Sequence, residues 1–343
     1  MADYIATNAA SSGVKLDKKL VKQLSRRSDR PGLIYTAQWL VLLALTGTAV
    51  WMALGTWWVI PAMLAYGTVL TVPSYSMSHE CAHGTAFRTR WLNETMLWIS
   101  SLLYFEEPYH RRFSHASHHT YTWMEGKDSQ MPFDTPMGLK EWFLEVTGIG
   151  LFIYESPLYI RNALGRFSDE VRRYTPESEL PKLKWGARAC LAIYGSLAAV
   201  VLAGYWWPVI FILIPRLVGG PIMLLFTLIQ HVEMQENTLD LRDSTRSFRT
   251  NWLGRFLYMN MNNHIEHHLY PMVPFHQLPE LNKAVKDQLP EPDPGFFRTN
   301  IEVFWVVLKR SLRLGTKAPS IRQAPHMIAE RGAKAERITK GYV

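Results

Sequence analysis

The chain has 343 residues, with 37 Lys and Arg against 29 Asp and Glu, and two cysteines, Cys81 and Cys190. The cysteines form no CxxC pair, which excludes rubredoxin-like, Rieske-like and zinc sites built on cysteine pairs. The net charge of +8 is spread over three segments rather than gathered on one compact domain, which excludes a nucleic-acid module and suits an anionic membrane leaflet.

In chain order, residues 1–33 are polar and basic, lack the apolar stretch of a signal peptide, and read as a cytosolic N-terminal segment. From Pro31 to Ser78 there are 48 consecutive residues without Asp, Glu, Lys, Arg or His. At about 1.5 Å per residue this run is roughly twice what one helix needs to cross about 30 Å of hydrocarbon, so residues 34–78 are expected to form a transmembrane hairpin. Gly55-Thr56 divides it into spans near 34–54 and 57–77. Residues 79–186 follow as a charged cap, in which 91–105 and 141–160 are expected to be interfacial helices. Residues 187–230 form the second expected hairpin: from Ala189 to Gln230 there are 42 residues with Arg216 as the only charge. The stretch Gly204-Tyr-Trp-Trp-Pro208 divides it into spans near 187–204 and 207–229. Residues 231–316 return to the cap, with a turn at 289–295 and an amphipathic helix near 299–313, and 317–343 is a basic tail.

Trp51, Trp57, Trp58, Trp206 and Trp207 crowd the two expected turns, as aromatic residues do at a membrane interface. Lys and Arg fall elsewhere, with seven in residues 1–30, thirteen in 79–188 and sixteen in 231–343. The positive-inside rule then puts both termini and the central loop in the cytoplasm. The expected fold is an all-α integral membrane protein of four transmembrane helices in two hairpins, with a cytosolic helical cap.

Eight of the twelve histidines fall in three clusters on the expected cytosolic side. "SHECAHGTAF" places His79 and His83 one helical turn apart. "HRRFSHASHHTYT" holds His115, His118 and His119, and "NMNNHIEHHLYPMVPFHQLP" holds His264, His267 and His268. On a helix, H-x-x-H-H offers neighbouring rings at i and i+3 and a third about 100° further round, so one cluster can reach two metals. All-imidazole sites suit Zn, Cu, Fe or Ni, and eight imidazoles exceed the four to six ligands of one ion, so two ions are expected.

The order HxxxH, HxxHH, HxxHH around two hydrophobic hairpins resembles the membrane fatty acid desaturase and hydroxylase superfamily. The resemblance covers roughly residues 25–285, with the phrases "RSDRPGL", "HECAHGTAFRTRWLN" and "NMNNHIEHHLYPMVPFHQLP" most similar to a bacterial branch of fatty acid desaturases and rhizopine-type hydrocarbon oxygenases. It implies two iron ions, O2 as co-substrate, and an external electron donor (ferredoxin, rubredoxin or cytochrome) with its reductase. It also implies a four-span helical fold with its active site facing the cytoplasm, here expected in a bacterial inner membrane. The implied reaction is desaturation or hydroxylation of a fatty acyl or alkyl chain. Alternatives are a hydroxylase or oxidative demethylase of a small polar metabolite, and a non-enzymatic metal-binding membrane protein. Histidines within the spans would favour the last; these sit at span ends.

Around the boxes, Glu80, Asp128 and Glu266 are candidates to accept ring N–H bonds and hold tautomers. Eight imidazoles are lean for two irons. His231, closing the fourth expected span 33 residues before the third cluster, resembles the lone ninth ligand of some superfamily members, with His110 as its competitor. His276 and His326 are expected in structural or surface roles. Arg216, flanked by Pro215 and Gly219-Gly220-Pro221, is expected to line the substrate path and pair with an anionic group. Arg111, Arg112 and Arg249 are expected to steer an acidic electron donor.

Overall fold

Long runs without charge can satisfy their backbone in an apolar medium as helices, and helices dominate the described residues. A computed structural model of the protein describes residue 9, residues 11–131 and residues 135–312; the basic tail and His326 lie outside them. Among the described residues the only β feature is an isolated bridge between Phe248 and Asp293. The helices are α1 (Lys18–Leu24), α2 (Asp29–Ala53), α3 (Val59–His83), α4 (Arg90–Tyr104), α5 (Pro108–Thr120), α6 (Leu139–Thr147), α7 (Ile149–Ala163) and α8 (Asp169–Tyr174). They continue as α9 (Leu180–Leu202), α10 (Ile214–His231), α11 (Leu241–Ser244), α12 (Trp252–Leu257), α13 (His264–Leu269), α14 (Leu278–Val285) and α15 (Phe296–Ser311).

Three stretches are long and apolar enough to cross a membrane: Asp29–Ala53, Glu177–Leu202 and Val209–His231. The sequence reading expects four, and the difference lies in α3. It is as long as α2, at 25 residues, but every residue from Leu70 to Cys81 is buried, including three serines, a threonine and a glutamate. Ser76 donates to the carbonyl of Val72 at 2.9 Å, and Thr71 to that of Gly67 at 2.8 Å. Polar side chains answered from within the helix let α3 sit at the centre of the molecule, where it packs against α2, α4 and α10.

The approach of α3 to α10 is set by two glycines. A Cβ on Gly219 would lie 2.0 Å from the carbonyl oxygen of Gly67, and one on Gly67 would lie 2.6 Å from that of Pro215. Small residues facing each other permit this backbone contact. Outward, α2 and α9 show Leu33, Leu40, Leu45, Ile193 and Leu202, while Trp57 and Trp206 stand exposed at the turns that join the long helices.

Residues 91–105 form α4, which packs along α3 and buries Leu97, Ser100 and Ser101. Residues 141–160 are two helices rather than one, because Gly148 at φ 72° closes α6 and opens α7. The last expected helix is α15. At the histidine end, α3 stops at Gly84, which takes the left-handed conformation at φ 66° and donates to the carbonyl of Cys81. α5 starts from Glu107, whose side chain accepts the N–H of His110, with Pro108 in the first turn.

Candidate metal centre

The end of α3 carries His79 and His83, α5 carries His115, His118 and His119, α13 carries His264, His267 and His268, and α10 ends on His231. Their rings meet in two adjoining groups. One ring nitrogen each from His79, His83, His115, His119 and His267 lies within 4.8 Å of the others, and the same holds for His118, His231, His264 and His268. Each H-x-x-H-H cluster reaches both groups, but not in the pairing expected. His115 joins His119, and His264 joins His268, so the partners are i and i+4. At about 100° per residue, i+4 lies about 40° round the axis and i+3 about 60° the other way, so i+4 is the nearer neighbour. The middle histidine crosses to the other group: His118 meets the α13 pair, and His267 meets the α5 pair.

Nitrogens of different rings come unusually close. His119 Nε2 is 3.1 Å from His115 Nε2 and 3.2 Å from His267 Nε2, and His264 Nε2 is 3.1 Å from the Nε2 of both His231 and His268. Two nitrogens about 2.1 Å from one ion and at right angles stand ~3.0 Å apart, so this spacing fits shared coordination. Both nitrogens of His79 and Nε2 of His83 are buried without a hydrogen-bond partner. Buried nitrogens left so are costly unless something binds them, and a metal ion is what imidazole lone pairs can share. Burial first, then the neighbouring imidazoles and Arg111, hold His115, His119, His264, His267 and His268 well below the ordinary imidazole range. These rings are neutral and have lone pairs to offer. The residues present fit a pair of metal ions.

Outer groups fix several rings. Nδ1 of His118 lies 2.9 Å from an Asp128 oxygen, Nδ1 of His115 lies 3.0 Å from Gln130 Oε1, and Nδ1 of His231 lies 2.9 Å from the carbonyl of Ser244. Thr122 donates its hydroxyl to the carbonyl of His118 at 2.8 Å and so can accept from Nδ1 of His268 at 3.1 Å. In each case Nδ1–H is the donor and Nε2 is left for a ligand role. Burial alone would raise Asp128, but the adjacent His118 and hydrogen bonds from the backbone of Gln130 and Trp123 outweigh it and keep the carboxyl below the usual range.

Other expected contacts do not form. Glu266 accepts from Ser247 at 2.6 Å and from Asn282, because residues between the box histidines of α13 point to the opposite side; it holds no imidazole. Glu80 accepts from Thr85 at 2.8 Å and from the backbone N–H of Phe275 at 3.1 Å, and its approach to His79 Nδ1 is 3.9 Å, beyond hydrogen-bonding reach. Both carboxylates brace the box helices instead. His110 points away from the nine rings, toward Glu106 and Glu155. His276 lies against Phe275, outside the two groups. Gln130, Thr122 and Ser244 were absent from the sequence reading. Thr122 had a signal, four residues after His118; a backbone carbonyl such as that of Ser244 has none.

A cavity of about 460 Å³ opens beside the second group and is lined in part by His115, His118, His231 and His264. Arg216 is not in its lining. The guanidinium donates from Nε to the carbonyl of Tyr104 at 3.0 Å and lies over the rings of Tyr104 and Phe152, 5.0 and 5.7 Å from their centroids. A buried cation in a long apolar helix is drawn to aromatic faces and a free carbonyl, and here these stand behind the cavity wall. Arg111 is buried and ion-paired with Glu106 at 3.6 Å, so it cannot steer a docking partner.

The sequence model of the fatty acid desaturase family matches residues 55–300. An sn-1 oleoyl-lipid 12-desaturase of Arthrospira platensis is 26% identical over 257 residues, which is 66% of this chain and 68% of that protein. A ferredoxin-dependent sn-1 acyl-lipid omega-3 desaturase of a Nostoc species is 24% identical over 260 residues, 69% of each chain. A Delta(12) fatty acid desaturase of Mortierella isabellina is 24% identical over 322 residues, 77% of this chain and 78% of that protein. With its three apolar helices, its paired histidine groups and a family match over most of its length, the chain belongs to the fatty acid desaturase family and is an integral membrane oxidoreductase.

Proposed function

We propose that the protein is a non-haem di-iron enzyme that uses O2 to desaturate or hydroxylate a fatty acyl or alkyl chain, with its histidine end facing the cytoplasm. The observation that carries this reading is the division of nine imidazoles into groups of five and four with no carboxylate among them. His79, His83, His115, His119 and His267 would hold one iron, and His118, His231, His264 and His268 the other. When bound, the iron pair supplies the capacity to activate O2 against an unreactive C–H bond.

The chain's own residues do the rest. Asp128, Gln130, Thr122 and the Ser244 carbonyl hold ring tautomers, and Glu80 and Glu266 pin the helix ends that carry the boxes. Desaturation removes two hydrogens from adjacent carbons and, with two electrons and two protons from outside, takes one O2 to two waters; hydroxylation inserts one oxygen atom and yields one water. The electrons are assigned to a separate ferredoxin, rubredoxin or cytochrome with its reductase. The Nostoc relative, whose name includes ferredoxin, supports that assignment. We also assign residues 34–78 and 187–230 to two membrane hairpins, α3 being the inner helix of the first.

A second reading, oxidation of a small polar metabolite, has its own support. The cavity beside the histidines is lined by Glu106, Glu145, Glu155 and Glu170, which an acyl chain cannot use.

The test is metal analysis of purified protein with turnover in the presence of ferredoxin and its reductase. Close to two irons per chain, turnover dependent on both O2 and the donor, and loss of turnover in His118→Ala and His267→Ala are expected. One zinc per chain in protein made with ample iron would sink the di-iron reading, and turnover with NAD(P)H alone would sink the separate donor.

A further inference from the structure

The cavity that the histidines line is also lined by a second group of ionisable side chains. One ligand atom each from Glu106, His110 and Glu155 lies within 4.8 Å of the others, and all three residues are buried. His110 Nδ1 is tied to the hydroxyl of Tyr174 at 2.9 Å, and its Nε2 stands 3.8 Å from Glu155 Oε1. Glu106 faces Arg111 at 3.6 Å, so its charge is answered within the wall. Glu155 is 8% exposed, and its Oε2 has no hydrogen-bond partner. Burial, reinforced by Glu106 and Glu107, drives its carboxyl well above the usual range, and burial before Arg111 drives His110 down to about 4, so His110 supplies no positive charge.

With Glu106 answered by Arg111, ionisation of Glu155 would leave this trio one negative charge in excess, so a positive charge entering the cavity is what lets that carboxyl ionise. A dication would overcompensate it beside the Arg111 guanidinium, whereas a single positive charge matches it. The same cavity presents aromatic rings from Tyr104, Trp123, Tyr154 and Tyr174, the surfaces that attract organic cations. A hydrocarbon chain packed against an unanswered buried carboxylate would gain nothing and would leave it desolvated.

We propose that Glu155, with Glu106 and the neighbouring tyrosines, binds a protonated amine or quaternary ammonium group of the substrate, and that this anchor directs the attached alkyl group to the histidines that line the same cavity. This rests on reading the histidine groups as the oxidation centre, and it names the substrate class: an alkyl-bearing organic cation small enough for about 460 Å³.

The experiment is equilibrium binding to the purified, iron-loaded protein of choline and of 3,3-dimethylbutan-1-ol, which has the same shape without the charge. Choline is expected to bind at least tenfold more tightly, and Glu155→Gln is expected to bring the ratio close to one while keeping wild-type iron content and thermal stability. Equal binding of the two probes by the wild type overturns the proposal even if the variant does not fold. A preference that persists in folded Glu155→Gln also overturns it, as does a third metal ion per chain that His110→Ala removes. No turnover is read, so the two readings separate. Low iron content with the cation preference intact would undo the di-iron reading alone, and two irons without the preference would undo this inference alone.

Discussion

The carboxylate of Asp128 takes three hydrogen bonds at once: from His118 Nδ1 at 2.9 Å and from the backbone N–H groups of Trp123 and Gln130 at 2.8 Å each. A loop thus clamps a ring of the second histidine group from outside. Asp128→Asn keeps the size but weakens the acceptor toward His118, and groups of this kind typically contribute 10–100-fold in metal affinity, so a loss of about that size is expected. Iron titration of apoprotein reads it; unchanged affinity would show that the contact is only structural.

His231 and His110 are distinguished by company. His231 Nε2 lies 3.1 Å from His264 Nε2, whereas His110 sits among Glu106, Glu155 and Tyr174. His231→Ala is expected to lose about one iron per chain, and His110→Ala to keep both. Mössbauer spectra and metal analysis of the pair decide it, and the reverse pattern would overturn the ligand assignment.

Gly219→Leu is expected to part α3 from α10, because the first added carbon alone would lie 2.0 Å from the Gly67 carbonyl oxygen. Overpacking of this kind costs about 1–3 kcal/mol, with a lower melting temperature in detergent. Gly195→Ala, where nothing lies within 4 Å, is the control and is expected to leave stability unchanged or slightly raised. Equal effects at the two positions would remove the close approach as the cause.

Arg216→Gln is expected to destabilise the protein by about 1–3 kcal/mol through loss of a hydrogen bond from a charged group to the Tyr104 carbonyl. The product profile is expected to stay unchanged, because the guanidinium is not in the cavity lining. A shifted profile at unaltered stability would return Arg216 to the substrate path.

Glu107 caps α5, and burial pushes its carboxyl up to about 8, against the opposing pull of the His110 and Tyr109 backbone. The folded protein then holds this proton more tightly than the unfolded chain. The associated stability is complete below about 4.5 and is lost as pH rises through about 8. Glu107→Gln keeps the cap acceptor and cannot ionise, so its melting temperature is expected to gain on the wild type across that window. A difference that does not vary with pH would remove Glu107 as the cause.

Much of the site was legible because its signals are local. Spacing within "SHECAHGTAF" and the two H-x-x-H-H clusters depends only on helix periodicity, and His231 is marked by its place at the end of an apolar run. The outer groups were less legible. Asp128 sits near its histidine in sequence, but Glu80 and Glu266 were nominated by adjacency alone, and adjacent residues on a helix point about 100° apart.

By itself the sequence determined the class of protein. Charge-free runs force helices in an apolar medium, and clustered imidazoles without a cysteine pair restrict the chemistry to metals that histidine can hold. The tertiary structure decided which histidine faces which, since the i and i+4 pairs separate into two groups only when α3, α5, α10 and α13 converge. It also decided that α3 is an inner helix, its serines satisfied by its own carbonyls, and that Arg216 stacks behind the cavity while Glu155 faces into it. Those outcomes depend on contacts between residues such as Gly67 and Gly219, or Arg216 and Tyr104, that stand more than a hundred positions apart in sequence, and no local pattern encodes them.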